Sequence, residues 1–219
     1  MGCLLLLAAC ASRPQTYGKL EVSYIEPREL WDDVDRDALK SQRLSTDGFP
    51  TPLSCVKAFM NEVFSSNSDR RFLDDERFCA KYFSEALRFQ IATSKLQYER
   101  RIVKGNQKTS VFPIDSAHAY GAGNKGTILS CWDLPTSYKI GGFHSTTIQG
   151  DAGTEEVRVS PRSVVDVVYR WGPGTQHEGN ERNTSVILVR ESGRWFVQDL
   201  YTHEGFFESA GSFYNDLVK

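Results

Sequence analysis

The stretch Val164-Val165-Asp166-Val167-Val168-Tyr169-Arg170-Trp171 decides how this chain is read. Its apolar residues recur with a period of two, which is the period of a β-strand. Val165, Val167, Tyr169 and Trp171 fall on one face. The other face mixes Val164 and Val168 with Asp166 and Arg170, the pattern of a surface that lines a cavity or groove. The same period predicts strands over Thr127–Trp132, Ser137–Ile140, Glu155–Val159, Thr184–Arg190 and Trp195–Tyr201. Ser192-Gly193 marks a tight turn between the last two, placing Arg190 opposite Trp195 and Leu188 opposite Val197. Arg190 is then set to stack on Trp195, and Glu191 to pair with Arg194.

Upstream the period changes to 3.6. Thr51 followed by Pro52 reads as a helix cap and first turn, and Val56, Phe59, Met60, Val63 and Phe64 form one apolar stripe. Phe72, Leu73, Phe78, Ala80, Tyr82 and Phe83 predict a second helix over 72–83. Ser84 caps a third, with Leu87, Ile91, Tyr98 and Ile102 on one face and Lys104-Gly105-Asn106 at its end. Phe206, Ala210, Phe213 or Tyr214, and Leu217 predict a short C-terminal helix. The fold class is therefore α+β, with N-terminal helices packed on an antiparallel sheet. Residues 10–50 read as a tether with some local structure. Arg13-Pro14 and Glu26-Pro27 interrupt it, and Leu30, Val34 and Ala38 allow a short helix after Pro27. The folded domain is expected over 51–219.

The 219 residues carry 26 Lys and Arg against 28 Asp and Glu, a formal net charge of −2, which excludes a generally basic nucleic-acid binder. A hydrophobic share of 40% is enough for one core and excludes wholesale disorder. No apolar run approaches the roughly 20 residues of a membrane helix. The pattern calls for no cofactor. No two Cys or His stand at metal-ligand spacing such as C-x-x-C, so no metal site is expected.

Gly121-Ala122-Gly123-Asn124-Lys125-Gly126 satisfies G-x-G-x-x-G, but phosphate binding needs a helix directly after the glycines, and Thr127-Ile128-Leu129 reads as strand. There is no G-x-S-x-G elbow. Of the four histidines, His203, directly after the last strand, is the least improbable catalytic group. Cys131-Trp132-Asp133-Leu134-Pro135-Thr136-Ser137-Tyr138 is the most distinctive segment, read as a hairpin corner or as a binding rim. The rim candidates are Trp132, Asp133, Tyr138, Asp166 and Arg170.

Leu7-Ala8-Ala9-Cys10, after an apolar run, resembles the lipobox of bacterial lipoproteins. The resemblance implies cleavage before Cys10, a diacylglycerol on its thiol, a signal remnant over 1–9, and a lipid-anchored protein of the bacterial cell envelope. In a host with two membranes it implies the periplasmic face of the outer membrane, because position 11 is Ala11 and not Asp. The run is short and has no basic residue before Arg13, which departs from the family pattern. Met1-Gly2-Cys3 hints at myristoylation, but Leu6 stands where Ser or Thr belongs. An envelope location permits disulfides. Cys55 and Cys79 are nearly symmetric about the loop near Asn67, so two antiparallel helices would bring them level. Their bridge would close a loop of about 25 residues, worth roughly 3 kcal/mol in a chain-entropy account. Cys131 reads as a core thiol.

The order of elements resembles the nuclear transport factor 2-like (cystatin-like) superfamily. It runs from paired helices through a third beginning Tyr82-Phe83-Ser84-Glu85-Ala86-Leu87 to a sheet closing on Gly193-Arg194-Trp195. More narrowly it is similar to exported bacterial domains of that superfamily of unknown function. The resemblance covers roughly residues 51–219 and implies a curved, cone-shaped sheet. It transfers no catalytic residues, since fold alone does not fix function. Three functions follow. One is a lipid-anchored, non-enzymatic domain that binds an envelope protein or a small ligand. Another is a small isomerase- or hydrolase-like cavity enzyme with Asp166 as general base beside Arg170, although i, i+4 residues on a strand stand about 13 Å apart. The last is an immunity-type interaction protein whose acidic residues 32–37 meet a basic partner.

Overall fold

The computed structural model describes residues 21–23, 25–100, 102–104, 123–131, 133–146, 162–203 and 211–212. Helices from the N-terminal half pack on one face of an antiparallel meander. Its four long strands are β3 (Ser137–Thr146), β4 (Arg162–Arg170), β5 (Glu181–Glu191) and β6 (Arg194–Thr202). A two-residue strand β7 (Gly211–Ser212) adds beyond β6, and β1 (Glu21–Ser23) pairs with β2 (Ile102–Lys104) as a separate ribbon. The sheet is neither curled nor closed, which corrects the expected cone. Its strand order follows the chain from β3 to β7, and β3 and β7 do not pair.

Among the described residues the α-helices are α1 (Arg36–Ser41), α2 (Pro52–Ser65), α3 (Glu76–Tyr82), α4 (Glu85–Arg100) and α5 (Lys125–Leu129). Helix α2 starts where expected, because Thr51 and Ser54 satisfy each other's backbone N–H in a capping box and Pro52 needs no donor. Its stripe of Cys55, Val56, Phe59, Met60 and Val63 is fully buried. Phe59 packs against Phe78 (5.9 Å between ring centroids), Tyr82 (5.6 Å) and Phe83 (5.9 Å). Each such side chain contributes about 2–3 kcal/mol on leaving water. The sheet supplies the opposite wall: Val165, Val167 and Tyr169 are wholly buried, as their alternation predicts.

Ser84 caps α4, its Oγ accepting the Leu87 N–H (3.1 Å) and donating to Gln198 Oε1 (2.7 Å). Gln198 is the extra residue of a bulge in β6, so an irregularity in the sheet helps set where the helix begins. The β5–β6 hairpin turns on Ser192 and Gly193, both at positive φ, with Arg190 opposite Trp195 and Leu188 opposite Val197. The expected Glu191–Arg194 pair does not form. Glu191 takes Arg43 (2.5 Å), and Arg194 donates to the carbonyls of Thr46 and Gly48.

Other expectations are corrected. Where the sequence predicts a strand over Thr127–Trp132, residues 127–129 belong to the helix α5, because the Asn124 side chain caps the Thr127 N–H and Ser130 ends the turn in the left-handed region. The second helix is split: Phe72–Asp74 is a 3-10 turn, and Asp75 then caps α3. Helix α4 stops at Arg100, and Ile102 belongs to β2. Within the expected C-terminal helix, Gly211–Ser212 is strand, paired with Tyr201 and Thr202. The remainder of that helix, and the strand over Glu155–Val159, lie outside the described residues. Residues 25–50 are built into the domain rather than free of it: Leu30, Val34 and Asp47 are buried, and Phe49 bridges to Trp195.

The Cys55–Cys79 bridge is absent. Both are buried free thiols, as is Cys131. The Cys55 thiol meets the Val197 backbone, whereas Cys79 Sγ donates to the Phe72 carbonyl (3.5 Å), so the two face different neighbours.

Candidate functional site

The rim candidates divide between the two faces of the sheet. Tyr138 lies on the helix side, donating from Oη to Asn61 Oδ1 (2.7 Å) with its ring 5.0 Å from that of Phe64. Asp133 holds the corner, its carbonyl accepting the Trp171 Nε1–H (2.8 Å). Trp132 and Cys10 lie outside the described residues. Asp166 and Arg170 project from the far face, away from the helices. Arg170 pairs with Glu181 (2.7 Å) across the strands and not with Asp166.

Asp166 instead joins His203, the two having been picked out separately in the sequence. Ser185 donates from Oγ to Asp166 Oδ1 (2.8 Å) and stands 2.7 Å from His203 Nε2. The register explains the row, since Asp166 is opposite Ser185 and Ser185 opposite Tyr201, two residues before His203. A hydroxyl has one hydrogen; given to a carboxylate, it leaves Oγ to accept from Nε2–H. The chain Asp166, Ser185, His203 therefore fixes the imidazole rather than activating Ser185. A carboxylate at 2.8 Å would also oppose a developing alkoxide on that oxygen.

A second polar group, which the sequence did not single out, sits on the helix side at the same end of the sheet. Tyr169 faces Arg182 across β4 and β5, and Thr184 faces Thr202 across β5 and β6. The four side chains share one face and are buried, Tyr169 completely, Thr184 to 1% and Thr202 to 2% exposure. Arg182 Nη1 donates to the Ser130 carbonyl (2.8 Å) and to Cys131 Sγ (3.3 Å). The left-handed turn at Ser130 presents that carbonyl. The hydroxyls of Tyr169 and Thr184 approach each other. Even so, neither they nor Thr202 Oγ1 forms a hydrogen bond of regular geometry among the described residues.

Burial pushes the Tyr169 hydroxyl far above its ordinary range. It also raises the Cys131 thiol, against the opposing pull of Arg182. A buried hydroxyl without a partner costs about 1–3 kcal/mol, so three close together form a place where a water or a small polar group would be stabilised. The group carries hydroxyl donors beside one guanidinium, which suits a small polar molecule with an anionic group. No sequence signal distinguishes Thr184 and Thr202 from ordinary strand residues; only the register makes them neighbours.

The last two residues of the glycine-rich motif, Lys125 and Gly126, open a helix after all, but one of five residues. Its lysine is committed: Lys125 Nζ donates to the carbonyls of Phe64 and Ser66 (2.9 Å each), at the C-terminus of α2. Among the described residues no group of His, Cys, Asp and Glu is placed to hold a metal ion, and no helix is long and apolar enough to cross a membrane. Comparison of the chain with protein-family models, curated proteins and solved structures finds no match.

Proposed function

We propose that this is a lipid-anchored cell-envelope protein whose domain binds a small polar ligand, carrying an anionic group, without transforming it. The observation that carries the reading is the trio of buried hydroxyls of Tyr169, Thr184 and Thr202 beside Arg182. Leu7-Ala8-Ala9-Cys10 supports the anchor. The order of helices and strands, ending in Gly193-Arg194-Trp195, supports kinship with nuclear transport factor 2-like domains, from which the open sheet is a departure. Asp166 stands on the sheet face away from the helices, which weighs against its use as a base in an inner cavity.

Two measurements test this. Native mass spectrometry of the protein purified from its own envelopes should show a bound small molecule, lost in Tyr169→Phe and Thr202→Val. A bare-chain mass, together with a Thr184→Val/Thr202→Val variant more stable than the parent, would mean that the hydroxyls serve no ligand. For the anchor, intact-mass analysis of the membrane fraction should find residues 1–9 removed and a diacylglycerol on Cys10.

A further inference from the structure

The ligand site leaves unexplained a second surface, beside the 3-10 helix Pro27–Asp33 and α1. The 3-10 helix Pro27–Asp33 buries Leu30 and turns Trp31 outward, with 40% of it exposed. The Trp31 ring meets Phe89 edge-on at 6.4 Å, and the Arg36 guanidinium lies 3.9 Å from the centre of the Phe89 ring. Beside them runs a groove of about 300 Å³ between α1, α4 and the end of β5, lined by Arg36, Leu39, Glu85, Ala86, Phe89 and Glu191. An exposed tryptophan packed on a residue that lines a part-apolar groove is the composition of an interface centre rather than of ordinary surface.

Charge selects the occupant. Residues 26–37 hold six carboxylates (Glu26, Glu29, Asp32, Asp33, Asp35 and Asp37) against Arg28 and Arg36, a net −4 in a chain whose total is −2. The remainder of the chain is therefore net positive, and negative charge is gathered around Trp31. Asp33 pairs with Arg100 and Asp35 caps α1. Glu26, Glu29, Asp32 and Asp37 form no ion pair among the described residues and stand exposed. Inside the groove Glu85 pairs with Lys40 (3.9 Å) and Glu191 with Arg43 (2.5 Å), and Arg36 lines the wall, so the uncompensated negative charge lies on the rim formed by Glu26, Glu29, Asp32 and Asp37.

We propose that this face docks a basic protein surface. A Lys or Arg side chain of the partner stacks on Trp31 within reach of the exposed Glu29 and Asp32, while the partner's apolar surface covers the groove beside Leu39 and Ala86. The acidic rim steers the encounter and disfavours anionic lipid, so the partner is a protein and not the membrane surface.

The test places a photoreactive phenylalanine analogue at position 31 of the full-length chain in intact envelopes and identifies the linked peptide. The expected result is one protein linked through a Lys- or Arg-rich surface, with the yield falling at least tenfold in Asp32→Lys/Asp37→Lys and falling again as salt is raised. Both aspartates are exposed and unpaired among the described residues, so the variant should keep the parent's thermal transition. Linkage to a second copy of the chain or to lipid, no linkage at all, or a yield indifferent to the charge reversal would each overturn the proposal.

Discussion

Gly48 sits at φ 72°, and a methyl group there would meet the tip of the Phe196 ring, 2.8 Å from Cε1 and from Cε2 and nearer still to Cζ. Neither side can yield easily. The Gly48 N–H donates to the Lys81 carbonyl and its own carbonyl accepts from Arg194, while Phe196 is 2% exposed and stacked under Arg43 at 3.9 Å. Gly193 provides a matched reference, at φ 83° with open space where its methyl would go. A left-handed alanine costs roughly 1–2 kcal/mol, partly offset by the stiffer unfolded chain, so Gly193→Ala should lose about 1 kcal/mol. Gly48→Ala adds an overpacking cost of about 2 kcal/mol, for a total of about 3. With a urea slope of about 2 kcal/mol/M, the midpoints should fall by about 0.5 M and about 1.5 M respectively. Tryptophan fluorescence reads both, since Trp195 adjoins Phe196. In Gly48→Ala/Phe196→Leu the two changes should be less than additive by about 1 kcal/mol. Equal losses in the two single variants, or strict additivity in the double, would refute the packing of residues 43–49 on β6.

Asp47 gives a pH prediction. Burial alone would raise its carboxyl, but hydrogen bonds from Arg77 and the Leu44 N–H, with the charges of Arg77 and Arg43, outweigh it and hold the pKa below the usual carboxylate value. Its contribution is therefore full above about pH 4 and is lost as pH falls through the lower folded value. Asp47→Asn should cost about 1–2 kcal/mol at pH 7, discounted because Arg77 is half exposed, and should lessen the acid sensitivity of urea unfolding. Thr51→Ala, which removes one side of the α2 capping box, should cost about 1 kcal/mol by thermal melting. Burial pushes the Cys79 thiol up to about 12 and the Cys55 thiol higher still. Iodoacetamide at pH 8 should therefore leave both unmodified until the protein unfolds, as read by mass mapping.

Where local chemistry and tertiary packing agree, the fold is legible in the residues. Thr51-Pro52 and the stripe from Val56 to Val63 mark α2, and the alternation around Tyr169 marks β4. Thr127-Ile128-Leu129 misleads because its β-formers are outvoted by a single cap, Asn124, and by the left-handed stop at Ser130. The symmetry of Cys55 and Cys79 in sequence misleads differently. It assumes that packed helices bring the two thiols together, whereas Cys55 meets the Val197 backbone and Cys79 the Phe72 carbonyl. The candidate site is the least legible part. Asp166 and Ser185 come from β4 and β5 and His203 from the residue after β6, while Tyr169, Thr184 and Thr202 come from three strands, and each trio exists only through register. One residue of slip would send every member to the other face.

The bulge at Gly141 and Gly142 has a consequence for the sheet's border. Among the described residues β3 is hydrogen-bonded on one side only, to β4, and its register breaks between Ile140 and Phe143. A long regular border strand is a template on which another chain can zip. Here ten residues are divided into two short runs with an exposed Lys139 in the first, and the kink denies an approaching strand more than a few consecutive backbone partners. The two glycines thereby act as a guard against edge-to-edge aggregation, a burden that side chains on the other strands do not carry.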